Sequence, residues 1–165
     1  MNEFRAQRVS HEYIQKNAAL PQRVFPLFCP VREADWIPDW RYRMIYSESG
    51  FAELGCVFAT PNEDGTETTW VISEYDAQAF RIGLVWVDPG KIAARMQISL
   101  ASAGIRESVA HIRYTFTSLS PQGNEMLAQY TEDWFLHKMM SWERAINHYL
   151  RLGKMISLQA WECPA

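Results

Sequence analysis

The sequence predicts a single α+β domain in which a curved antiparallel sheet of about seven strands wraps around one long C-terminal helix. Three observations predict it. Apolar residues in the middle of the chain recur in twos. Those after Ser120 recur every 3.6 residues. A proline-rich segment separates an isolated first strand from the rest.

The chain has 165 residues, which fits one domain, and its 48% hydrophobic and 21% charged composition supplies a core and excludes disorder. Residues 1–153 are assigned to that domain and 154–165 to a C-terminal tail. The first strand is expected over 7–15, with Val9, His11 and Tyr13 on one face. Residues 20–40 carry prolines at 21, 26, 30 and 38. Two short helices fit there, one around Val24, Leu27 and Phe28, the other around Val31, Ala34 and Ile37. Pro30 must part them because it breaks the backbone ladder, and Pro26 must kink or delay the first.

A second strand at 41–47 puts Tyr42, Met44 and Tyr46 on one face and Arg41, Arg43 and Ile45 on the other. Strands at 54–60 and 68–74 follow, joined by the loop 62–65, with Trp70 and Ile72 sharing a face that Glu74 continues. The clearest strands lie within 79–118. Phe80, Ile82, Leu84 and Trp86 alternate with Arg81, Gly83, Val85 and Val87. Asp88-Pro89-Gly90-Lys91 then makes a turn, because Pro fixes φ and Gly tolerates positive φ. Ile92, Ala94, Met96, Ile98 and Leu100 continue the apolar face; Ala103-Gly104 turns again, and Ala110, Ile112, Tyr114 and Phe116 close the series. One apolar and one polar face on successive strands describe an antiparallel meander with one side wet.

The last element starts at Ser120 as N-cap with Pro121 behind it, and stops at Gly153. It is expected as one helix of about 30 residues, roughly 45 Å long. Ala128, Thr131, Phe135, Met139, Trp142, Ile146, Tyr149 and Leu150 form its apolar stripe; Asn147 lies across from it. A domain of this size is near 40 Å across. The helix therefore crosses it, and a twisted sheet covering the stripe must curl around the helix.

This order resembles the START/Bet v 1-like helix-grip superfamily, also called SRPBCC or polyketide cyclase/dehydrase-like. Val24-Phe25-Pro26-Leu27-Phe28 and Asp35-Trp36-Ile37-Pro38-Asp39-Trp40 look like its short-helix pair leading into the second strand. His111-Ile112-Arg113-Tyr114-Thr115-Phe116-Thr117, followed by Leu119-Ser120-Pro121, looks like its last strand running into the long helix. The resemblance reaches to about Gly153; the position of Pro26 and the tail depart from it. It implies a fold that binds lipids, sterols, polyketides or quinones, acts as a cyclase or dehydratase, or binds protein chaperones. No catalytic motif carries over residue by residue.

Aromatic residues reach 13% of the chain, and a sheet curling around a helix leaves space that they can fill or line. The expected ligand-binding residues are Tyr42, Tyr46, Trp70, Trp86, Tyr114, Phe135, Met139 and Trp142. They describe an apolar wall with a few polar tips, suited to an apolar small molecule, and no cofactor or metal is expected. The alternative is a cyclase/dehydratase-type enzyme in which Tyr114, Tyr42, His11 or Glu74 moves protons. A third reading is a protein-interaction module using a sheet edge or the tail, whose Met155, Ile156, Leu158 and Trp161 either dock on a neighbour, as in a homodimer, or fold back to cover their own domain. Trp36 and Trp40 are expected as a packing lid.

Other classes fall away. A net charge of −3 disfavours nucleic acid. The longest apolar run, around Ile82 to Val87, is well under the ~18 residues that span a membrane. Cys29, Cys56 and Cys163 show neither a disulfide framework nor a CxxC pair, so a reducing cytoplasm is expected. His137 and His148 sit on one helix too far apart to share a metal, Asp133 and His137 are a surface pair, and His111 is on a wet face.

Overall fold

A computed structural model describes residues 3–162. Seven strands form one antiparallel sheet in the order β1-β7-β6-β5-β4-β3-β2. They are β1 (Arg8–Asn17), β2 (Arg43–Tyr46), β3 (Val57–Pro61), β4 (Glu67–Asp76), β5 (Arg81–Asp88), β6 (Ile92–Gly104) and β7 (Glu107–Ser118). β2 to β7 run as a meander, and β1 joins it beside β7 with Val9 opposite Phe116 and Tyr13 opposite Ile112. The helices are α1 (Pro21–Val24), α2 (Pro30–Glu33), α3 (Pro121–Gln129), α4 (Glu132–Leu152) and α5 (Leu158–Glu162).

Prolines shape the segment after β1. Pro21 opens α1 and Pro30 opens α2, where a missing N–H costs nothing. Pro26 falls in a 3-10 turn, Phe25–Leu27, so the first helix is a single turn. Trp36 is fully buried and donates its indole N–H to the Leu27 carbonyl at 3.1 Å. Trp40 donates to the Pro30 carbonyl at 2.7 Å, so both indoles pin this segment down as a lid.

Two bulges overrule simple alternation. In β4 the register slips between Ile72 and Glu74, placing Glu74 opposite Gly83 on the outer face. Glu74 therefore pairs with Arg81 at 3.3 Å instead of continuing the Trp70–Ile72 face. Tyr75 turns inward in its place, its ring 5.4 Å from that of Phe25. In β2 a slip between Met44 and Tyr46 puts Tyr46 opposite Val57, and its side chain faces solvent with 57% of the residue exposed.

The C-terminal helix is broken where a single rod was expected. Tyr130 leaves helical geometry, and Thr131 starts α4 by accepting from the Trp134 N–H at 3.2 Å. Glu132 and Asp133 follow in the first turn, where the helix dipole favours acids. Ala128 and Thr131 are consequently exposed, whereas Phe135, Met139, Trp142, Ile146 and Leu150 are buried. Ser120 caps α3 through the Gly123 N–H, and Gly153 ends α4 at φ 63°.

α4 is stitched to β1 by polar side chains. Asn147, buried rather than solvated, accepts from the Ala18 N–H at 2.7 Å and donates to the Lys16 carbonyl at 2.8 Å. Glu143 accepts from the Tyr13 hydroxyl at 3.1 Å and the Lys16 N–H at 2.9 Å. The tail folds back on α4: Ile156 is buried, and Arg144 donates to the Trp161 carbonyl at 3.2 Å. Cys163 lies outside the described residues.

Candidate functional site

Over the central strands, rings fill the layer between sheet and α4. Cross-strand pairing stacks Trp70 of β4 on Trp86 of β5, with centroids 4.2 Å apart. Trp86 meets the edge of Tyr114 at 5.8 Å, and Tyr114 meets Phe135 at 5.3 Å. His11 stacks on the far side of Phe135 at 5.2 Å. A branch runs from Trp86 through Phe116 and Tyr130 to Trp134, the last two stacked at 4.4 Å.

Four of the eight expected residues, Trp70, Trp86, Tyr114 and Phe135, belong to this assembly. Met139 is buried at 0% exposure on the same helix face. Trp142 sits toward the short helices, edge-on to Trp36 at 5.4 Å and stacked near Phe28 at 6.3 Å. Tyr42 is half-buried beside Trp40, and Tyr46 faces outward.

Two titratable groups that sequence reading passed over flank Tyr114. Glu33, on α2, is buried, and no hydrogen bond or ion pair reaches its carboxyl among the described residues. Burial pushes its pKa up to about 8. Tyr114 is pushed far above the usual phenol range, first by burial and then by the neighbouring Glu33. On the α4 side, the half-buried Lys138 lays its amine 5.1 Å from the Tyr114 centroid and 5.4 Å from that of Trp134. No carboxylate pairs with it among the described residues, and burial pushes it down to about 8.

Near neutral pH the site thus holds a carboxylic acid, a phenol and an ammonium: three donors without a fixed anion. A signal for Glu33 was present, since Cys29, Glu33 and Ile37 follow each other at four-residue spacing and all three are buried. Lys138 is three residues from Phe135 and adjoins the buried stripe.

Open space flanks α4. A cleft of about 440 Å³ borders Lys138 between α4 and α5, with Trp134, Ser141, Arg144 and Trp161 on its walls. Another of about 500 Å³ opens between β1 and α4 beside His11, Tyr13 and Phe135. Of the proposed proton movers, His11 faces inward and hydrogen-bonds the Tyr130 carbonyl. His111 is exposed against Glu12, and His137 donates to the backbone carbonyl of Asp133 rather than to its carboxylate. Among the described residues, no three His, Cys, Asp or Glu gather as a metal site, and no helix is long and apolar enough to cross a membrane.

No protein-family model and no curated protein matches the chain. Solved structures do. Truncated norcoclaurine synthase from Thalictrum flavum superposes with a TM-score of 0.65 at 14% identity, over 92% of this chain and 98% of that one. The same enzyme in complex with dopamine and hydroxybenzaldehyde gives 0.63 at 13% identity, over 90% and 88%. Ara h 8.0201 gives 0.58 at 17% identity, over 88% and 99%. With the strand order, the short helices after β1 and the sheet curved against α4, these similarities show that the chain has the START/Bet v 1-like helix-grip fold.

Proposed function

We propose that this protein binds a small apolar or aromatic molecule beside α4, in the cleft that Lys138 and Trp134 share with Trp161, with the ring assembly of Trp86, Tyr114 and Phe135 packed behind it. The carrying observation is the amine of Lys138 laid over the rings of Tyr114 and Trp134 without a carboxylate partner among the described residues, at the edge of an open cleft. Apolar area buried there drives binding at roughly 25 cal/mol per Å², and the polar tips orient the guest. Similarity to a protein solved with two small aromatic molecules supports the reading. Native mass spectrometry of freshly purified protein tests it, with a co-purifying small molecule expected. Trp134→Ala, which removes a wall of the cleft, releases that molecule. Protein that arrives empty and takes up no aromatic compound in a screen ends the reading.

The second reading, an enzyme of the cyclase or dehydratase kind, is favoured by Glu33 beside Tyr114. A carboxyl still protonated near pH 7 can hand a proton to a carbonyl oxygen, and its conjugate base can take one from carbon. An enolisable aromatic ketone in D₂O should exchange its α-hydrogens in the presence of the wild type and not of Glu33→Gln. Exchange at the buffer rate removes this reading.

Buried thiols at Cys29 and Cys56, both unpaired, support a cytoplasmic setting. A homodimer through the tail is tested by light scattering of the full chain and of a chain ending at Gly153; the same mass for both removes the tail as a contact.

A further inference from the structure

The structure assigns to Lys138 the part of polar anchor, and thereby a ligand class: we propose that the site takes a small planar aromatic compound carrying an anionic oxygen, a carboxylate or an enolate. This rests on the binding reading above and specifies its chemistry.

A lysine on a helix flank ordinarily runs its stem along apolar surface and leaves its head in water. Lys138 instead folds its head over two rings, 5.1 Å from Tyr114 and 5.4 Å from Trp134. Ring faces attract the charge but accept none of its three N–H bonds well. A half-buried ammonium without a counter-ion is costly, and a carboxylate nearby would remove that cost. Among the described residues none pairs with it. Glu33, on α2, makes no ion pair with Lys138 and is protonated near neutral pH. Glu162, on α5, borders the same cleft but is exposed and makes no ion pair with Lys138 among the described residues.

The space beside the amine fits a flat guest. The cleft of about 440 Å³ lies within the range of small-molecule sites and has the indoles of Trp134 and Trp161 on its walls. Arg144, also on the cleft, donates to the Ala160 and Trp161 carbonyls and holds α5 in place as one wall. A carboxylate entering between the indoles would meet Lys138 directly, giving a charge-assisted bond.

Isothermal titration with 2-naphthoate and its uncharged counterpart 2-naphthamide tests the assignment in wild type, Lys138→Met and Lys138→Arg. The wild type should bind the acid at least about tenfold more tightly than the amide. Lys138→Met should weaken the acid more than the amide and so level the two, and Lys138→Arg should keep the preference. Equal affinities in the wild type, or a preference that survives in Lys138→Met, overturn the anchor while leaving the binding reading intact. If neither probe binds the wild type, the binding reading falls and the anchor with it. Should Lys138→Met fail to fold, Lys138→Gln takes its place in the same comparison.

Discussion

The imidazole of His11 donates its Nε2–H to the backbone carbonyl of Tyr130 at 2.6 Å, joining the first strand to the break between α3 and α4. A helix that stops leaves carbonyls without intrahelical donors, and this one is satisfied from another element. The bond assigns the Nε2–H tautomer, and the ring's stack on Phe135 fixes its plane.

His11→Phe should keep the stack and lose the donor. It is expected to destabilise the fold by about 1–2 kcal/mol, read from urea unfolding. His11→Ala should cost more, because the stack goes as well. Equal stability of His11→Phe and wild type would show that the carbonyl finds water instead.

Asn147→Ala should cost about 2 kcal/mol, since it strips partners from the Ala18 N–H and the Lys16 carbonyl together. Hydrogen exchange at the Ala18 amide is the local readout, and its protection should fall with the substitution. Unchanged protection would mean that α4 is held to β1 by other means.

Gly123→Ala opposes helix propensity to packing. Alanine favours a helix over glycine by about 1 kcal/mol. Here, however, a Cβ would stand 2.0 Å from the carbonyl oxygen of Lys91 in the β5–β6 turn, which accepts from the Leu119 N–H just after β7 and is held there. A net loss of about 2 kcal/mol or more is expected by thermal unfolding. Gln122→Ala, at an exposed neighbouring position, should be close to neutral.

Glu33 sets a pH dependence with a definite sign. Its pKa is raised from 4.5 to about 8 in the folded protein. Between those values the native state holds a proton that the unfolded chain has lost, so stability falls as pH rises through that window. The loss should be on the order of 3 kcal/mol between pH 5 and pH 8. Lys138, lowered from 10.5 to about 8, contributes the opposite slope only above about pH 8. Glu33→Gln should flatten the fall and raise stability at pH 9, measured by urea unfolding across pH. A slope that persists in the variant would place its source elsewhere.

Alternation and caps were legible in the chain itself. Ile82, Leu84 and Trp86, or Ile112, Tyr114 and Phe116, point one way because strand geometry sends every second side chain to the same face. Ser120, Pro121 and Gly153 mark helix ends because their effect is confined to one turn. The break at Tyr130 was also written locally, as Thr131 followed by Glu132 and Asp133, yet the apolar stripe runs through it and masks it. Bulges were not legible: nothing near Ser73 distinguishes a strand that slips a residue from one that does not, and only pairing with Gly83 turns Glu74 outward.

The sequence by itself determined the strands, the turns, the helix termini and an aromatic inner face, because each follows from the conformational preferences of a few consecutive residues. Tertiary structure alone decided that Glu33 of a one-turn helix and Lys138 of the long one would both stand near Tyr114 from a strand. Their altered acidity follows from packing between segments far apart in the chain, which sets how much water each group retains.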